Sequence, residues 1–330
     1  MRPTGDHVRV NVQLLDAETG SHLWVDRFDT SLLDLDEAQD EITSRLAHTL
    51  NRELVVAEFG HIEREQRLHP DARDLIMRGW AWWHRPATTS ARQEARCAFE
   101  QALAMEPASI EAKIGVAATI TQILVEGSSS SFDQDEVLAE RLFREVLERD
   151  AHHPMARAQI ALLRRLQNRL SEARAEAEMA VSHDRNNELA LKQLGQIMLF
   201  QGDPAAGIPH LERAIRLNPR GPNLWSIQWP LGQCHLLLGN VDAAIALFRK
   251  ASVANPNAYY VYLNLSGALA LRGDLDEARS ALAEALRRKP EVNTLARYRA
   301  STPWITNPGH WALRDKTLNA GLRRAGFPEE

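Results

Sequence analysis

Ala244-Ile245-Ala246-Leu247-Phe248-Arg249-Lys250-Ala251-Ser252-Val253-Ala254-Asn255-Pro256 carries the pattern that decides the fold. An Ala is followed four residues on by a bulky apolar residue, three further by a second Ala, and five further by Pro (Ala244, Phe248, Ala251, Pro256). Spacings of four and three put the first three on one helical face, and the Pro stops the helix. The same spacing returns at Ala278, Leu282, Ala285 and Pro290, at Ala95, Phe99, Ala102 and Pro107, and, with Gly first, at Gly207, Leu211, Ala214 and Pro219. Ala139, Phe143, Val146 and Ala173, Ala177, Ala180 are copies without the final Pro. The first positions fall at 95, 139, 173, 207, 244 and 278, and three of the five intervals are 34 residues. Loop-like runs, Gly127 to Ser131 and Pro219 to Pro222, lengthen the other two. Copies held in phase over this length are a repeat architecture and not unrelated amphipathic helices.

A small residue twelve positions before each anchor completes the pattern: Leu194-Gly195, Leu231-Gly232, Ile160-Ala161 and Leu265-Ser266, with Trp83 at that place in the first copy and Gly79 close by. Between helices stand Gln201-Gly202-Asp203-Pro204, Gly239-Asn240 and Arg272-Gly273-Asp274. These predict a left-handed Gly at a helix end and then an Asp or Asn capping the next helix. In period and residues the chain resembles the tetratricopeptide repeat, a 34-residue helix–turn–helix unit. The resemblance implies a mainly α fold: a right-handed α-solenoid of about six repeats over residues 71–291, whose first helices line a concave groove for a protein or peptide. Residues 292–330, interrupted by Pro303, Pro308 and Gly309 before an amphipathic helix at about Trp311 to Ala325, are expected to cap its last apolar face.

With each anchor counted as position 20, the family's groove positions fall on Leu189, Lys192, Gln196 and Leu199, on Ser226, Trp229, Gln233 and Leu236, and on Tyr260, Leu263, Gly267 and Ala270. Lys192, Gln196, Trp229, Gln233 and Tyr260 are the expected partner contacts. Lys192 stands where carboxylate-binding members carry a basic residue, but the asparagines of that clamp do not follow. The implied groove is a mixed apolar and amide surface suited to an extended peptide or a partner helix.

The first seventy residues differ. Val8, Val10, Val12 and Leu14 alternate, Asp16 to Gly20 turns, and His22 to Phe28 forms a second run, which predicts a β-hairpin over 7–28. Leu35, Ala38, Ile42, Leu46 and Leu50 then fall on a helical stripe, a helix expected over about 35–66. One hairpin and one helix bury too little to stand alone, so residues 1–70 read as part of an αβ domain. The segment Gln13 to Gly20, with His22-Leu23-Trp24 and Gln39 to Ile42, resembles the end of an αβ domain of bacterial regulatory proteins, and Leu322 to Pro328 resembles their C-terminus. In that family the domain lies between an output domain, a class III nucleotide cyclase or a winged-helix DNA-binding domain, and a tetratricopeptide tail. The resemblance implies that Met1 falls inside the αβ domain and that an output domain is missing from these residues.

A formal charge of −5 argues against a general nucleic-acid binder. Two cysteines, Cys97 and Cys234, make neither a disulfide framework nor a structural zinc site, and read as buried apolar side chains in a reducing, cytoplasmic compartment. The longest apolar stretch, Ile114 to Val125, is too short to span a bilayer, and the N-terminus lacks the apolar core of a signal peptide. Ser128 to Ser131 and His152-His153 read as turns, and neither a phosphate-binding loop nor a nucleophile elbow occurs. No catalytic role, metal or cofactor is expected. An unpaired strand edge and the solenoid end offer two routes to a homo-oligomer. Trp80, Trp82, Trp83 and His84 are expected to pack between the αβ segment and the first repeat, or else to form a ligand-contacting wall.

Overall fold

The computed structural model describes residues 2–4, 7–15, 20, 22–31, 43, 70–85, 88–219, 221, 223–303 and 305–330. The helix expected at about 35–66 lies, apart from Thr43, outside the described residues. The chain divides into two units, residues 1–119 with 216–218, and residues 120–215 with 219–330.

In the first unit β1 (Arg2–Thr4), β2 (His7–Leu15) and β3 (His22–Ser31) form an antiparallel sheet in that order. The expected hairpin is β2–β3, with Val8 opposite Thr30, Val10 opposite Phe28 and Val12 opposite Asp26, and an irregularity between Leu14 and Leu15. Helix α1 (Ala72–Trp83) begins in a reciprocal cap: the Asp74 amide donates to the Asp71 carboxylate at 2.8 Å, and the Asp71 amide to that of Asp74 at 3.2 Å. Helix α2 (Thr89–Met105) is capped by Thr88, and α3 (Ile110–Val125) follows. Phe99, fully buried, lies against two glycines, where a Cβ on Gly79 or Gly115 would meet its ring at 2.5 and 2.3 Å. Gly79, not Trp83, is therefore the small residue of the first repeat. Trp80 sets its edge on Phe99 at 5.0 Å, inside the repeat, and Trp82 lies under Arg85 at 3.9 Å.

The second unit continues with α4 (Phe132–Arg149), α5 (Pro154–Leu166), α6 (Leu170–His183), α7 (Glu188–Phe200), α8 (Pro204–Leu217), α9 (Trp225–Leu237), α10 (Val241–Ala254), α11 (Tyr259–Arg272) and α12 (Leu275–Arg288). These are the helix–turn–helix repeats of an α-solenoid. The anchor residues are its core: Ala139, Phe143, Ala173, Ala177, Leu211, Ala244, Phe248 and Ala278 are all fully buried. The small residues of the first helices meet them. A Cβ on Gly195 would reach Leu211 at 2.4 Å, one on Gly232 would reach Phe248 at 2.6 Å, and Ser266 donates its hydroxyl proton to the Ala278 carbonyl at 2.8 Å. Cys234 is buried, its thiol pushed up to about 12 by burial, whereas Cys97 is exposed, against expectation, because it faces outward from α2.

Gly202, Gly239 and Gly273 take the expected left-handed φ of 86°, 85° and 106°. Of the residues that follow, Asp203 accepts from the Ala206 amide at 3.0 Å, but Asn240 and Asp274 make no side-chain cap. Asp274 is drawn instead into an ion pair with Arg272. Between α5 and α6 the left-handed position is filled by Asn168, φ 59°.

After α13 (Leu295–Ala300) the expected C-terminal helix is two, α14 (Pro308–Lys316) and α15 (Leu318–Arg324), broken at Thr317, φ −122° and ψ −95°. Leu318, Leu322 and Phe327 join the apolar core around Leu263 and Leu269. The tail returns to α13, whose Leu295 and Ala296 amides donate to the Pro328 and Glu329 carbonyls at 2.8 and 3.0 Å. Among the described residues no helix is long and apolar enough to cross a membrane.

Candidate partner-binding face

The first helices of successive repeats, α5, α7, α9 and α11, carry polar side chains where an ordinary core would be apolar: Gln159, Arg165, Gln193, Gln196, Gln228, Gln233 and Asn264 are all buried. The residues expected from the sequence divide into two groups along this face.

Lys192, Gln196, Trp229 and Tyr260 form the first group. Lys192 is half-buried on α7. Pro230 brings Gln196 into place, because a proline at 230 has no amide hydrogen for the Ser226 carbonyl one helical turn back. That carbonyl accepts instead from Gln196 Nε2 at 3.5 Å, linking α7 to α9. Trp229 and Tyr260, both half-buried, meet with ring centroids 4.7 Å apart, flanked by Tyr259 and Trp225 at 5.5 and 6.5 Å from Tyr260. Burial pushes the Tyr260 phenol above its usual range. Five buried atoms on α5, α7 and α9 have no hydrogen-bond partner: Gln159 Oε1, Gln193 Nε2, Gln228 Oε1, Trp229 Nε1 and Gln233 Oε1.

Arg165, at the C-terminal end of α5, is 7% exposed. Its Nε–H donates to Gln193 Oε1 at 3.2 Å and its guanidinium lies 5.8 Å from the Phe200 ring centre. Burial lowers its pKa to about 10. It counts as position 12 of the repeat anchored at Ala173, so its groove phase is present in the sequence although that copy lacks the final Pro.

Gln233 belongs to the second group, which joins repeat residues to a C-terminal segment outside the repeats. Its Nε2 donates to Asn264 Oδ1 at 3.0 Å, and Asn264 Nδ2 in turn to the Tyr298 hydroxyl at 3.1 Å. Gln233 is not an open groove residue, because the C-terminal segment lies over it. Gln233, Leu236 and Asn264 with His310, Arg314 and Leu318 enclose a space with no room for a water. Thr306 donates to Asn168 Oδ1 at 3.2 Å, and His310 Nδ1–H to the Leu199 carbonyl at 2.8 Å. His310 is 1% exposed, and burial, with Arg314 nearby, holds its imidazole down at about 4. Arg314, 1% exposed, is held between the Tyr298 and Trp311 rings, each centre 4.7 Å away. Residues 305–316 therefore strap the C-terminal ends of α7 and α9, and the expected cap also covers part of the face. Elsewhere, His152 stacks on His183 with centroids 4.1 Å apart, and among the described residues no three His, Cys, Asp or Glu side chains converge as metal ligands would.

Residues 193–258 and 238–293 match the family profile described as tetratricopeptide repeat. The chain contains tetratricopeptide repeats. Among solved structures, it is similar to the APC/C hetero-tetramer Cut9-Hcn1, with a TM-score of 0.57 and 17% identity over 79% of this chain and 48% of that one. It is likewise similar to a monomeric mutant of IFIT1 with m7Gppp-AAAA, with a TM-score of 0.59 and 12% identity over 84% of this chain and 67% of that one. At these identities the likeness is one of fold. Over 176 residues the chain is 29% identical to "Putative adenylate cyclase 3" of Rhizobium meliloti (strain 1021), a match covering 52% of this chain and 29% of that relative.

Proposed function

We propose that this chain is an interaction module whose repeat face, between α5 and α11, holds an extended segment of a protein partner. The supporting observation is the set of unpaired buried atoms carried by α5, α7 and α9, apart from the Gln233 oxygen under the C-terminal segment. Buried polar groups without partners are rare, and here they comprise two donors, Gln193 Nε2 and Trp229 Nε1, and two acceptors, Gln159 Oε1 and Gln228 Oε1. An extended peptide offers both kinds of group along its backbone and apolar side chains for the aromatic pair. Lys192, Gln196, Trp229 and Tyr260 are the contacts this reading assigns, and Gln233 serves the strap. The test is affinity purification with the full chain and with a Lys192→Ala, Trp229→Ala double variant. Loss of bound partners from the variant supports the reading, and an unchanged set of partners with unchanged affinities defeats it.

The similarity to a putative adenylate cyclase supports a second reading, in which the chain is the regulatory C-terminal part of a class III nucleotide cyclase or a winged-helix regulator. The two readings are compatible, since a regulatory tail acts through what it binds. On the second reading the purified chain has no turnover of ATP or GTP with Mg²⁺ or Mn²⁺, and an output domain is encoded in frame upstream of Met1 or by an adjacent gene.

A further inference from the structure

The strap, residues 305–316, is anchored at both ends and weakly seated between them. Before it, the Leu295 and Ala296 amides of α13 donate to the Pro328 and Glu329 carbonyls of the tail. After it, Gly321 stands on Gly267 and Leu322 lies in the core. The strap can therefore leave the repeats while both ends stay in place. It also holds together by itself, since Trp311 Nε1–H donates to the Ile305 carbonyl at 2.8 Å. Its seat on the repeats is poorly matched. Thr306 donates to Asn168 at an exposed place, and His310 Nδ1–H to the Leu199 carbonyl. Inside, Arg314 Nε and Nη2, His310 Nε2 and Gln233 Oε1 are buried without a partner, although all three residues line the same closed space. Each of these atoms is hydrogen-bonded to water when the strap is open, so closing it loses bonds that the seam does not replace. Arg314 also carries a charge out of water, with the Tyr298 and Trp311 rings on either side of it.

We propose that the strap is a removable cover, displaced by a helix of a partner protein that brings hydrogen-bond donors to the surface beneath. That surface accepts a helix, since α14 already lies on it. Its floor is apolar: Phe200 meets the His310 ring at 5.9 Å, and Leu236 lines the closed space. Its polar groups are acceptors, the Leu199 carbonyl, Asn168 Oδ1 and Gln233 Oε1. The strap satisfies the first two and leaves the third. A partner helix with a basic, amide or hydroxyl side chain on Gln233 and another on Leu199 pairs what α14 leaves unpaired, and this is its advantage over the built-in occupant. Carboxylates at those places are rejected, because an acceptor facing an acceptor gains nothing and loses its water. The inference goes beyond the reading of the Trp229–Tyr260 surface and does not rest on it, since every observation behind it concerns the strap.

The test closes and opens the strap in one protein. In a full chain with Cys97→Ser, Asn168→Cys and Thr306→Cys, oxidation ties the strap to the α5–α6 turn and a reductant frees it, with intact mass reporting the bond. The probe, standing in for the partner helix, is a fluorescein-labelled peptide of residues 305–317, titrated by anisotropy. The proposal expects the reduced protein to bind it about tenfold or more tightly than the oxidised one. A second variant, Thr306→Val with His310→Ala, loosens the strap and should bind the probe about tenfold more tightly than the parent chain, because apparent affinity rises with the fraction of open protein. Hydrogen exchange in α10 matching the parent's shows that this variant is folded. The same peptide carrying His310→Glu and Arg314→Glu should lose binding to it. Equal affinity of the oxidised and reduced proteins overturns the cover, as does failure of the folded, loosened variant to bind the probe. Undiminished binding of the Glu-bearing peptide overturns the donor chemistry assigned to the partner.

Discussion

Gly321 and Gly267 meet backbone to backbone: a Cβ on Gly321 would stand 2.0 Å from the Gly267 carbonyl oxygen. No rotamer change relieves that clash, since the obstacle is main chain. α15 thus closes on α11 at a distance only two glycines allow, and this seats Leu318 and Leu322 in the core. Gly321→Ala should therefore cost more than a side-chain overpacking, about 3 kcal/mol or above against the usual 1–3. The readout is the urea midpoint. A change under about 0.5 kcal/mol would mean that α15 does not dock as described.

Ser266 stands where neighbouring repeats have Gly195 and Gly232, and it bonds the Ala278 carbonyl inside the last repeat. Ser266→Ala keeps the volume small but leaves that carbonyl unpaired by the hydroxyl, which should cost about 1 kcal/mol. Ser266→Gly should cost more, because glycine also weakens the interior of a helix. Chemical denaturation of both variants checks the order.

The repeats were legible because their packing needs are local and periodic. Ala244, Phe248 and Ala278 sit at fixed spacings, and each spacing maps onto a buried contact. In the first repeat the fixed offset falls on Trp83, and the Phe99 ring requires the glycine that Gly79 supplies four residues earlier. Capping at Asp274 failed for a different reason: Arg272 competes for the Asp274 carboxylate, and such competition leaves no mark on the spacing. The candidate face was half legible. Lys192, Gln196, Trp229 and Tyr260 follow from phase, whereas the cover over Gln233 depends on His310, Arg314 and Leu318, which lie outside any repeat. Contacts spanning more than a hundred residues, such as His310 with Leu199, carry no periodic signal.

His310 makes the strap sensitive to acid. Its folded pKa of about 4 is below the ordinary value near 6.5. Between those values the undocked imidazole takes a proton and the docked one does not, so docking weakens as pH falls. The contribution is complete above about pH 6.5 and is lost as pH falls through 4, with an upper bound of about 3 kcal/mol. Hydrogen exchange at residues 305–316 should speed up relative to α10 between pH 7 and pH 5, after correction for intrinsic rates. His310→Asn, which can still donate to Leu199, should flatten that dependence. An unchanged ratio in the parent chain would show that the imidazole is not held neutral.

Asn168 does two jobs, and three substitutions separate them. It holds the left-handed turn between α5 and α6 at φ 59° and accepts a hydrogen bond from Thr306 across 138 residues. Asn168→Ala loses both, and an alanine in that conformation costs about 1 kcal/mol beyond the bond. Asn168→Gly keeps the turn and loses the bond. Thr306→Val loses only the bond and leaves the turn untouched. Melting should rank the variants with Ala lowest and Thr306→Val close to the parent, since the Thr306 pair is exposed and worth little. Exchange at residues 305–310 should respond alike in Asn168→Gly and Thr306→Val, because both release the same end of the strap. If Thr306→Val alone left that exchange unchanged, the strap would be held by His310 without help from the α5–α6 turn.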